Sequence, residues 1–166
     1  MIKAAILTLS DKGAKGERED LAGPTISEML ASIDASVEYY EIISDDIELI
    51  KEKLMDYSKK VDLVLTTGGT GLSPRDVTPE ATLEVIEREI PGIAEAMRSA
   101  GMEKTKRAML SRAVAGVRGH ALIINLPGSP RAVKEGLEAI MDVIPHAIDK
   151  IKGSTEDCAV LDGQKL

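Results

Sequence analysis

The sequence predicts an α/β fold, a three-layer sandwich built on a mostly parallel β-sheet. Short apolar runs of strand length alternate with amphipathic stretches of helical periodicity along the 166 residues. The chain shows no internal repeat and no low-complexity linker. Its length suits one domain with a sizeable core, which we assign to residues 1–153, followed by a polar C-terminal tail over residues 154–166.

The first third of the chain predicts two strands and the helix between them. Residues 2–9 form a short apolar run, and residues 37–43 form a second. The polar segment 10–23 between them is predicted to be a long loop, a kind of segment that often carries function. Pro24 then opens a helix that continues to about Ile33.

The middle of the chain predicts a central strand between two capped helices. Ser44 has the side chain of an N-cap for a helix that extends to Tyr57. Residues 61–67 are apolar on both faces, which is typical of a strand at the centre of a parallel sheet. Thr78 before Pro79 predicts a second N-cap, for a helix that stops near Pro91. The remaining predictions are a helix over 93–101, two strands over 112–117 and 120–125 joined in a hairpin, and a last helix over 133–151 with a kink at Pro145.

Composition excludes several classes of function. The net charge of −7 and the absence of Trp and Phe argue against nucleic acid as a partner. Cys158 is the only cysteine, so an internal disulfide is impossible, and it is expected to be a non-functional thiol in the polar tail. No apolar run approaches the roughly 20 residues that span a bilayer, and the N-terminal segment lacks the features of a signal peptide. We therefore expect a cytoplasmic protein that does not bind membranes.

Four unusual loops follow the carboxyl ends of predicted strands. They are residues 10–23, 44–46, 66–76 and 125–129. In open parallel sheets, ligands bind outside the carboxyl ends of the strands. The four loops are therefore expected to meet at one edge of the sheet and to form the functional site there.

The loop at 66–71 is rich in glycine and hydroxyl groups. It contains Gly68, Gly69 and Gly71 together with Thr66, Thr67 and Thr70, and such a loop offers closely spaced backbone N–H groups to a phosphate. The pattern is neither a Walker A loop nor a dinucleotide-binding fingerprint, since Pro74 stands where a third glycine belongs. The alternative is a tight connection between strand and helix, and the cluster favours ligand binding.

Acidic residues near this loop suggest a divalent cation. Asp76 beside a bound phosphate would be repelled unless a cation intervened, and Mg²⁺ is held by few carboxylates together with substrate phosphates. Asp45, on a neighbouring loop, would share that edge of the sheet. Each of these acids, and Glu80, has the alternative role of stabilising the start of a helix, and Asp76 could also pair with Arg75.

Asn125 is the only asparagine of the chain and ends a predicted strand. Its amide could hydrogen-bond the edge of a heterocycle, or it could fix the backbone of the turn that follows. Taken together, the residues indicate a phosphate-rich, nucleotide-like ligand handled with Mg²⁺. Phosphoryl or nucleotidyl transfer fits, because positioning and charge neutralisation supply most of that catalysis.

Three stretches of the chain resemble the MogA/MoaB family of molybdenum cofactor biosynthesis. They are SDKGAKGEREDLAGP at 10–24, GGTGLSPRDVTPEAT at 68–82 and AMLSRAVAGVRGHALIINLPGSP at 108–130, and the likeness extends over residues 2–152. The resemblance implies a MogA-like fold, a homotrimer and a molybdopterin adenylyltransferase. Such an enzyme uses Mg²⁺ to transfer AMP from ATP to the phosphate of molybdopterin, releases pyrophosphate and hands its product to a molybdenum insertase.

The resemblance also implies roles for individual residues. Asp45 and Asp76 match the two aspartates that handle metal and ATP, and Glu80 falls within the signature in a supporting role. The implied substrate-binding positions are Ser10, Gly68, Gly69, Thr70, Gly71, Ser99, Ser111, Asn125, Pro127, Gly128 and Ser129.

Three other readings compete with the enzyme. A MoaB-like relative could bind molybdopterin without catalysis, but this chain keeps both aspartates, the glycine loop and Asn125. Insertases carry a related module within much longer chains, and this chain is a lone domain. The pyrophosphatase-like domain of competence-damage proteins is disfavoured by the RDVTPEAT run at 75–82.

Overall fold

A six-stranded sheet forms the centre of the computed structural model, which describes residues 1–155. The strands are β1 (Ile2–Leu9), β2 (Ala35–Ile43), β3 (Leu63–Thr67), β4 (Arg88–Glu89), β5 (Ala115–Arg118) and β6 (Ala121–Leu126). They lie in the order β2-β1-β3-β6-β5-β4. The first four in that order run parallel, and β5 and β4 are added antiparallel to their neighbours β6 and β5. The predicted mostly parallel sheet is confirmed.

Helices cover both faces of this sheet. They are α1 (Asp11–Ala14), α2 (Ala22–Leu30), α3 (Ile47–Tyr57), α4 (Thr78–Val85), α5 (Pro91–Met102), α6 (Pro130–Ile140) and α7 (Val143–Ile151). One apolar cluster joins the sheet to α2, α5, α6 and α7, and a second joins its other face to α3 and α4. The three-layer sandwich predicted from the sequence is therefore present.

The central strands are buried on both faces. In β3, Leu63 and Leu65 point to the first cluster and Val64 points to the second. Leu122 and Ile123 of β6 divide in the same way. Alternate side chains of a strand point to opposite faces, so a strand between two helical layers must be apolar at every position. This requirement explains why the run at 61–67 is recognisable in the sequence.

The carboxyl half of the sheet contains one strand that the sequence did not reveal. The predicted hairpin is confirmed, because β5 and β6 pair antiparallel across Arg118 and Ala121. The helix that was expected to continue to Pro91 ends instead at Val85. The next residues form β4, only two residues long and exposed, which pairs with β5. So short and polar a strand has no periodicity to detect.

Two helix starts differ from their predictions. The N-cap of α3 is Asp46, whose carboxylate accepts a hydrogen bond from the N–H of Leu49 at 2.9 Å, so the assignment of Ser44 was wrong. Thr78 is the first residue of α4 rather than its cap. Its hydroxyl donates instead to the carbonyl oxygen of Gly68 at 3.0 Å, because the glycine loop folds back against the helix.

Two further boundaries also differ. The segment 10–23 is not wholly a loop, since it contains the short α1 and the start of α2. The last helix is broken into α6 and α7 at residues 141–142 rather than kinked at Pro145. Pro145 is the third residue of α7, where a missing N–H costs no intrahelical hydrogen bond.

Within residues 1–155, no helix is both long enough and apolar enough to cross a membrane. The residues 156–166, which hold most of the predicted tail and Cys158, lie outside the described part of the chain.

Leu65 tests the doubly buried centre of the sheet. It is 0% exposed, and Leu65→Ala should lower the free energy of unfolding by about 2–5 kcal/mol, because it removes buried methyl groups and leaves a cavity. Urea denaturation followed by circular dichroism measures the change. Leu83→Ala, at a position on α4 that is 50% exposed, is the control and should cost much less. Equal losses from the two variants would contradict the assigned core.

Candidate active site

A cleft of about 620 Å³ lies at the carboxyl edge of the parallel strands. All four loops predicted to meet there contribute residues to its wall. The volume is within the range of roughly 300–1,000 Å³ that is usual for small-molecule sites. Of the residues predicted to bind substrate or metal, the cleft is lined by Ser10, Asp45, Gly68, Gly69, Asp76, Gly128 and Ser129.

The glycine loop after β3 adopts a backbone that only glycine tolerates well. Gly68 and Gly69 have φ angles of +98° and +65°. A Cβ at Gly68 would lie 2.5 Å from the carbonyl oxygen of Leu9, and one at Gly69 would lie 2.2 Å from the Thr78 hydroxyl oxygen. Sterics and backbone conformation therefore both require glycine at these two positions.

The carbonyl groups of this loop are held by the protein. Thr78 donates from its backbone N–H to the carbonyl of Gly69 at 3.2 Å, and Arg112 donates from its N–H to that of Thr70 at 2.9 Å. Within the described residues, the N–H groups of Gly69, Thr70 and Gly71 donate to no protein acceptor. Successive free N–H groups beside a cleft suit an anion such as phosphate.

Asp45 belongs to a network that joins three of the loops. Asp11 donates its N–H to the Asp45 carboxylate at 3.1 Å, and Asp45 donates its N–H to the Asp11 carboxylate at 3.0 Å. Arg75, from the loop after β3, makes a two-pronged ion pair with Asp11 at 2.8–3.0 Å. This pair lowers the pKa of Asp11. The sequence left open a pair between Arg75 and Asp76, and the structure pairs Arg75 with Asp11 instead.

The carboxylate of Asp45 lies in an unfavourable electrostatic position. Burial raises its pKa, and the nearby charges of Asp11 and Asp76 raise it further. Its Oδ1 atom is 3.2 Å from the place that a Cβ of Gly69 would take, so this oxygen faces the glycine loop. A cation bound here would relieve the repulsion among the acids.

The donor set fits a magnesium ion that also binds phosphate. Asp76 uses Oδ2 to accept from the N–H of Ser73 at 2.9 Å, and Asp45 uses Oδ2 for Asp11. In the part of the chain that the structure describes, the Oδ1 atom of each aspartate receives no protein hydrogen bond. No group of three or more acidic, His or Cys side chains suited to a metal is found among those residues. Two carboxylate oxygens suit Mg²⁺, which keeps waters and substrate phosphates as its other ligands.

Asp20 lines the cleft and was not predicted from the sequence. Its carboxylate accepts hydrogen bonds from the hydroxyls of Thr8 and Tyr40 and from the N–H groups of Ala22 and Gly23 at the start of α2. Burial raises the pKa of Asp20, but these four hydrogen bonds outweigh it and lower the pKa overall. Its position just before the helix was the signal available, because aspartate commonly satisfies the first N–H groups of a helix.

The turn after β6 closes the other side of the cleft. The hydroxyl of Thr67 donates to the carbonyl of Pro127 at 2.6 Å, which ties this turn to β3. Ser129 caps α6 by accepting from the N–H of Ala132 at 3.2 Å. The N-terminus of α6 therefore lies at the cleft, where the helix dipole favours a negatively charged ligand.

A second, smaller cavity of about 220 Å³ adjoins the same turn. Ser111 and Pro127 line it, together with small or apolar residues of α5 and α6 such as Ala94 and Ala132. The two cavities share the turn at 127–130, because Pro127 borders the smaller one and Gly128 borders the cleft.

The remaining predicted residues line neither cavity. Thr70 is buried, Gly71 lies beside Asp76, and Ser99 is exposed on α5. Glu80 pairs with Arg112. The substrate contacts implied for Thr70, Gly71 and Ser99 and the supporting role implied for Glu80 stay predictions, and the structure connects Gly71 and Glu80 to the site through Asp76 and Arg112.

Asn125 is buried behind the glycine loop and connects residues of three segments by hydrogen bonds. It is 0% exposed, and its amide nitrogen donates to the hydroxyls of Thr66 and Thr82 at 3.0 and 2.9 Å. Its side-chain oxygen accepts from the N–H of Val114 at 3.2 Å. Both amide hydrogens are used, so in this conformation the side chain has none left for a heterocycle. The backbone that this side chain fixes is that of Val114 rather than that of the turn that follows β6, and the role of Asn125 as a substrate contact stays a prediction.

Comparisons with known proteins find relatives whose names refer to molybdopterin. Residues 5–146 match the family described as "Probable molybdopterin binding domain". A molybdopterin adenylyltransferase of Helicobacter pylori is 43% identical over 92% of this chain and 89% of its own length. One from Escherichia coli K12 is 39% identical over 89% and 80%. The crystal structure of the molybdopterin biosynthesis enzyme MoaB from Thermus thermophilus is 51% identical, covers 93% of this chain and 98% of its own, and superposes with a TM-score of 0.88.

Asp20 provides a test of the cleft wall. Asp20→Asn should lower the free energy of unfolding at pH 7 by about 1 kcal/mol, because the amide cannot accept all four hydrogen bonds. A lowered pKa means that the carboxylate stabilises the fold above the ordinary pKa of aspartate and loses this effect as the pH falls through the folded value. The difference between wild type and variant should therefore shrink below about pH 4.

Urea denaturation at several pH values measures this difference. Glu19→Gln, which removes the charge of the exposed neighbouring acid, is the control. A difference for Asp20→Asn that stays constant from pH 7 to acid conditions would contradict the role of its charge.

Proposed function

The chain belongs to the molybdopterin-binding MogA/MoaB family, and from this membership we propose that it is a molybdopterin adenylyltransferase of molybdenum cofactor biosynthesis. The reaction transfers AMP from ATP to the terminal phosphate of molybdopterin and releases pyrophosphate. The observation that carries the proposal is the cleft whose wall combines Gly68 and Gly69 of the glycine loop with Asp45 and Asp76.

The proposed reaction needs no covalent nucleophile from the protein. A phosphate oxygen of molybdopterin forms a bond to the α-phosphorus of ATP, and the bond from that phosphorus to the oxygen bridging to the β-phosphate breaks. The electron pair leaves with pyrophosphate. Because both reactants carry negative charge, the protein has to align them and offset their repulsion.

Two groups of backbone N–H donors support the alignment of phosphates. On one side of the cleft lies Gly69, whose N–H, like those of Thr70 and Gly71 after it, donates to no acceptor among the described residues, and on another side lies the N-terminus of α6 after Ser129. The backbone that carries these donors is fixed in place. The loop is held by the hydrogen bond from the Thr78 hydroxyl to the carbonyl of Gly68, and the start of α6 is held by its cap, Ser129. Fixed donors stabilise developing charge without having to reorganise during the reaction.

Asp45 and Asp76 would hold Mg²⁺ through their free carboxylate oxygens. When bound, the ion neutralises phosphate charge and polarises the group that is transferred. Arg75 stays paired with Asp11 beside Asp45, which keeps the loops after β1, β2 and β3 in register around that position.

The smaller cavity supports binding of the ring system of one substrate. Small and apolar residues form much of its wall, and Ser111 adds a hydroxyl group that can orient a heterocycle. The shared turn at 127–130 brings such a ring next to the phosphate-binding cleft. Thr70 and Ser99 remain candidate contacts on the strength of the family resemblance alone.

We also propose the assembly and setting that the family resemblance implies. These are a homotrimer, a cytoplasmic location and hand-over of adenylylated molybdopterin to a molybdenum insertase. An exposed apolar group supports self-association: Leu72, Met109 and Leu110 are 64%, 56% and 50% exposed. The hydrogen bond from Arg112 to Thr70 brings the two segments that carry these side chains together.

An adenylylation assay tests the activity. Purified protein with molybdopterin, ATP and Mg²⁺ should form adenylylated molybdopterin and pyrophosphate in equal amounts. Asp76→Asn should lower kcat by roughly 100-fold or more, since it removes a charge from the phosphate and metal site. Asp46→Asn is the matched control, because asparagine is an equally good helix cap and Asp46 is exposed outside the cleft.

The outcome separates the enzyme from the binding protein. Product from wild type and Asp46→Asn, but not from Asp76→Asn, supports the transferase. Tight binding of molybdopterin without any adenylylated product would support the MoaB-like binding protein instead.

Sedimentation equilibrium tests the trimer. The wild type should have three times the mass of the chain, and Leu110→Asp should shift it toward the monomer, because a charge in a buried apolar contact is costly. The control is Leu83→Asp, at a leucine that is equally exposed, at 50%, but lies on α4, outside the two segments that carry the apolar group. A wild type that stays monomeric at high concentration would rule out the trimer.

A further inference from the structure

We propose that Arg112 is a positioning residue for this reaction, which holds the glycine loop and Asp76 in register from outside the cleft. The expected effect of Arg112 on the reaction rests on the proposed function, whereas the contacts of Arg112 are those of the structure. Arg112 does not line the cleft, so it acts through the groups that it holds.

Arg112 contacts four points on the segment 70–80. Its backbone N–H donates to the carbonyl of Thr70 at 2.9 Å. Its Nε donates to the carbonyl of Gly71 at 2.8 Å, and its Nη2 donates to that of Asp76 at 2.6 Å. Its Nη1 pairs with the carboxylate of Glu80. One side chain thus joins the glycine loop, the backbone of Asp76 and the first turn of α4.

These contacts set the place of the Asp76 carboxylate. The Oδ2 atom of Asp76 lies 2.8 Å from the position that a Cβ of Gly71 would occupy, so the carboxylate packs directly on the backbone of the loop. Arg112 binds the carbonyl oxygens of both of these residues. If the guanidinium were lost, the loop and the carboxylate could move relative to each other.

Glu80 anchors the guanidinium at its far end. Burial raises the pKa of Glu80, and the hydrogen bond from Arg112 outweighs this effect and lowers it. The second oxygen of Glu80 is buried and has no hydrogen-bond partner among the described residues. Arg112 therefore stabilises this carboxylate as an anion, together with a backbone hydrogen bond within Glu80, and Glu80 in turn holds Arg112 in place.

A second arginine holds the backbone around Arg112. Arg98 of α5 donates from Nη1 to the carbonyl oxygens of Ser111 and Ala113 at 3.2 and 3.1 Å. These carbonyls flank Arg112 on both sides. The segment 111–113 is thereby fastened to α5 while its middle residue extends to the loop.

Lysine cannot replace this arginine. The guanidinium is planar and donates from three nitrogens in fixed directions, whereas a lysine ammonium is one point charge. Arg112→Lys keeps the positive charge beside Glu80 but cannot reach the carbonyls of Gly71 and Asp76 together with Glu80. This variant therefore separates geometry from charge.

The test compares Arg112→Lys with Arg118→Lys. Arg118 is the matched control, because it also extends from the segment before β6 to α4, donating to the carbonyl of Val85 at the opposite end of that helix. In Arg112→Lys we expect kcat for adenylylation to fall, and the half-saturating Mg²⁺ concentration to rise, by roughly 10- to 100-fold. The KM for ATP should change much less, since most of the contact surface is intact. Arg118→Lys should match the wild type in all three.

Hydrogen exchange supplies a readout that does not depend on activity. Amide exchange of peptides within 66–77 should be faster in Arg112→Lys, while peptides of β1 and β6 should exchange as in the wild type. Glu80→Gln, which leaves the guanidinium and its carbonyl contacts, should change the same peptides to a smaller extent. It also provides the test if Arg112→Lys fails to fold.

The outcomes distinguish the two proposals. If the wild type makes no adenylylated product, the proposed function fails, and the exchange measurement still decides whether Arg112 orders the loop. If exchange over 66–77 and kcat both match the wild type in Arg112→Lys, Arg112 has no positioning role. Uniformly faster exchange across the chain would also overturn the proposal, because it would indicate a general loss of stability.

Discussion

The site depends on backbone segments packing directly against each other at the carboxyl edge of the sheet. A Cβ at Gly68 would collide with the carbonyl of Leu9, and one at Gly128 would lie 3.4 Å from the Cα of Gly68. The loop after β3 can lie this close to the end of β1 only because Gly68 has no side chain, and the turn after β6 packs against the same glycine. The carbonyls of the glycine loop find partners within the protein, and the N–H groups of Gly69, Thr70 and Gly71 donate to no acceptor among the described residues.

This arrangement concentrates negative charge at the cleft that we propose as the site of a negatively charged substrate. The chain carries a net charge of −7, and Asp45 already feels the charges of Asp11 and Asp76. The ion pair between Arg75 and Asp11 offsets one of these acids. The remaining repulsion makes the cleft poorly suited to phosphate alone and well suited to phosphate accompanied by a divalent cation. The acids and the glycine loop are therefore best understood as one site.

Much of the fold and part of the site could be predicted from the sequence. The buried strands and the capped or proline-started helices have strong local patterns. The rule that loops meet at the carboxyl edge of a parallel sheet correctly predicted that Asp45 lies at the same cleft as Asp76 and Gly69. The strand β4 could not be predicted, since two residues are too few to show a periodic pattern. The N-cap at Asp46 could not be predicted either, because Ser44 has an equally good capping side chain two residues earlier. Asp20 was missed because its partners Thr8 and Tyr40 come from two strands, and only the folded chain brings them together.

Residues within a recognisable motif can serve to hold other parts of the site in place. Asn125 and Glu80 lie in stretches that resemble the family. The amide of Asn125 is hydrogen-bonded to Thr66, Thr82 and Val114. The carboxylate of Glu80 forms an ion pair with the guanidinium of Arg112. A loop built from glycines has no side chains with which to hold its own shape, so polar groups behind it must do so. Residues behind the loop can therefore matter to the reaction as much as those that line the cleft, because they determine where the lining groups lie.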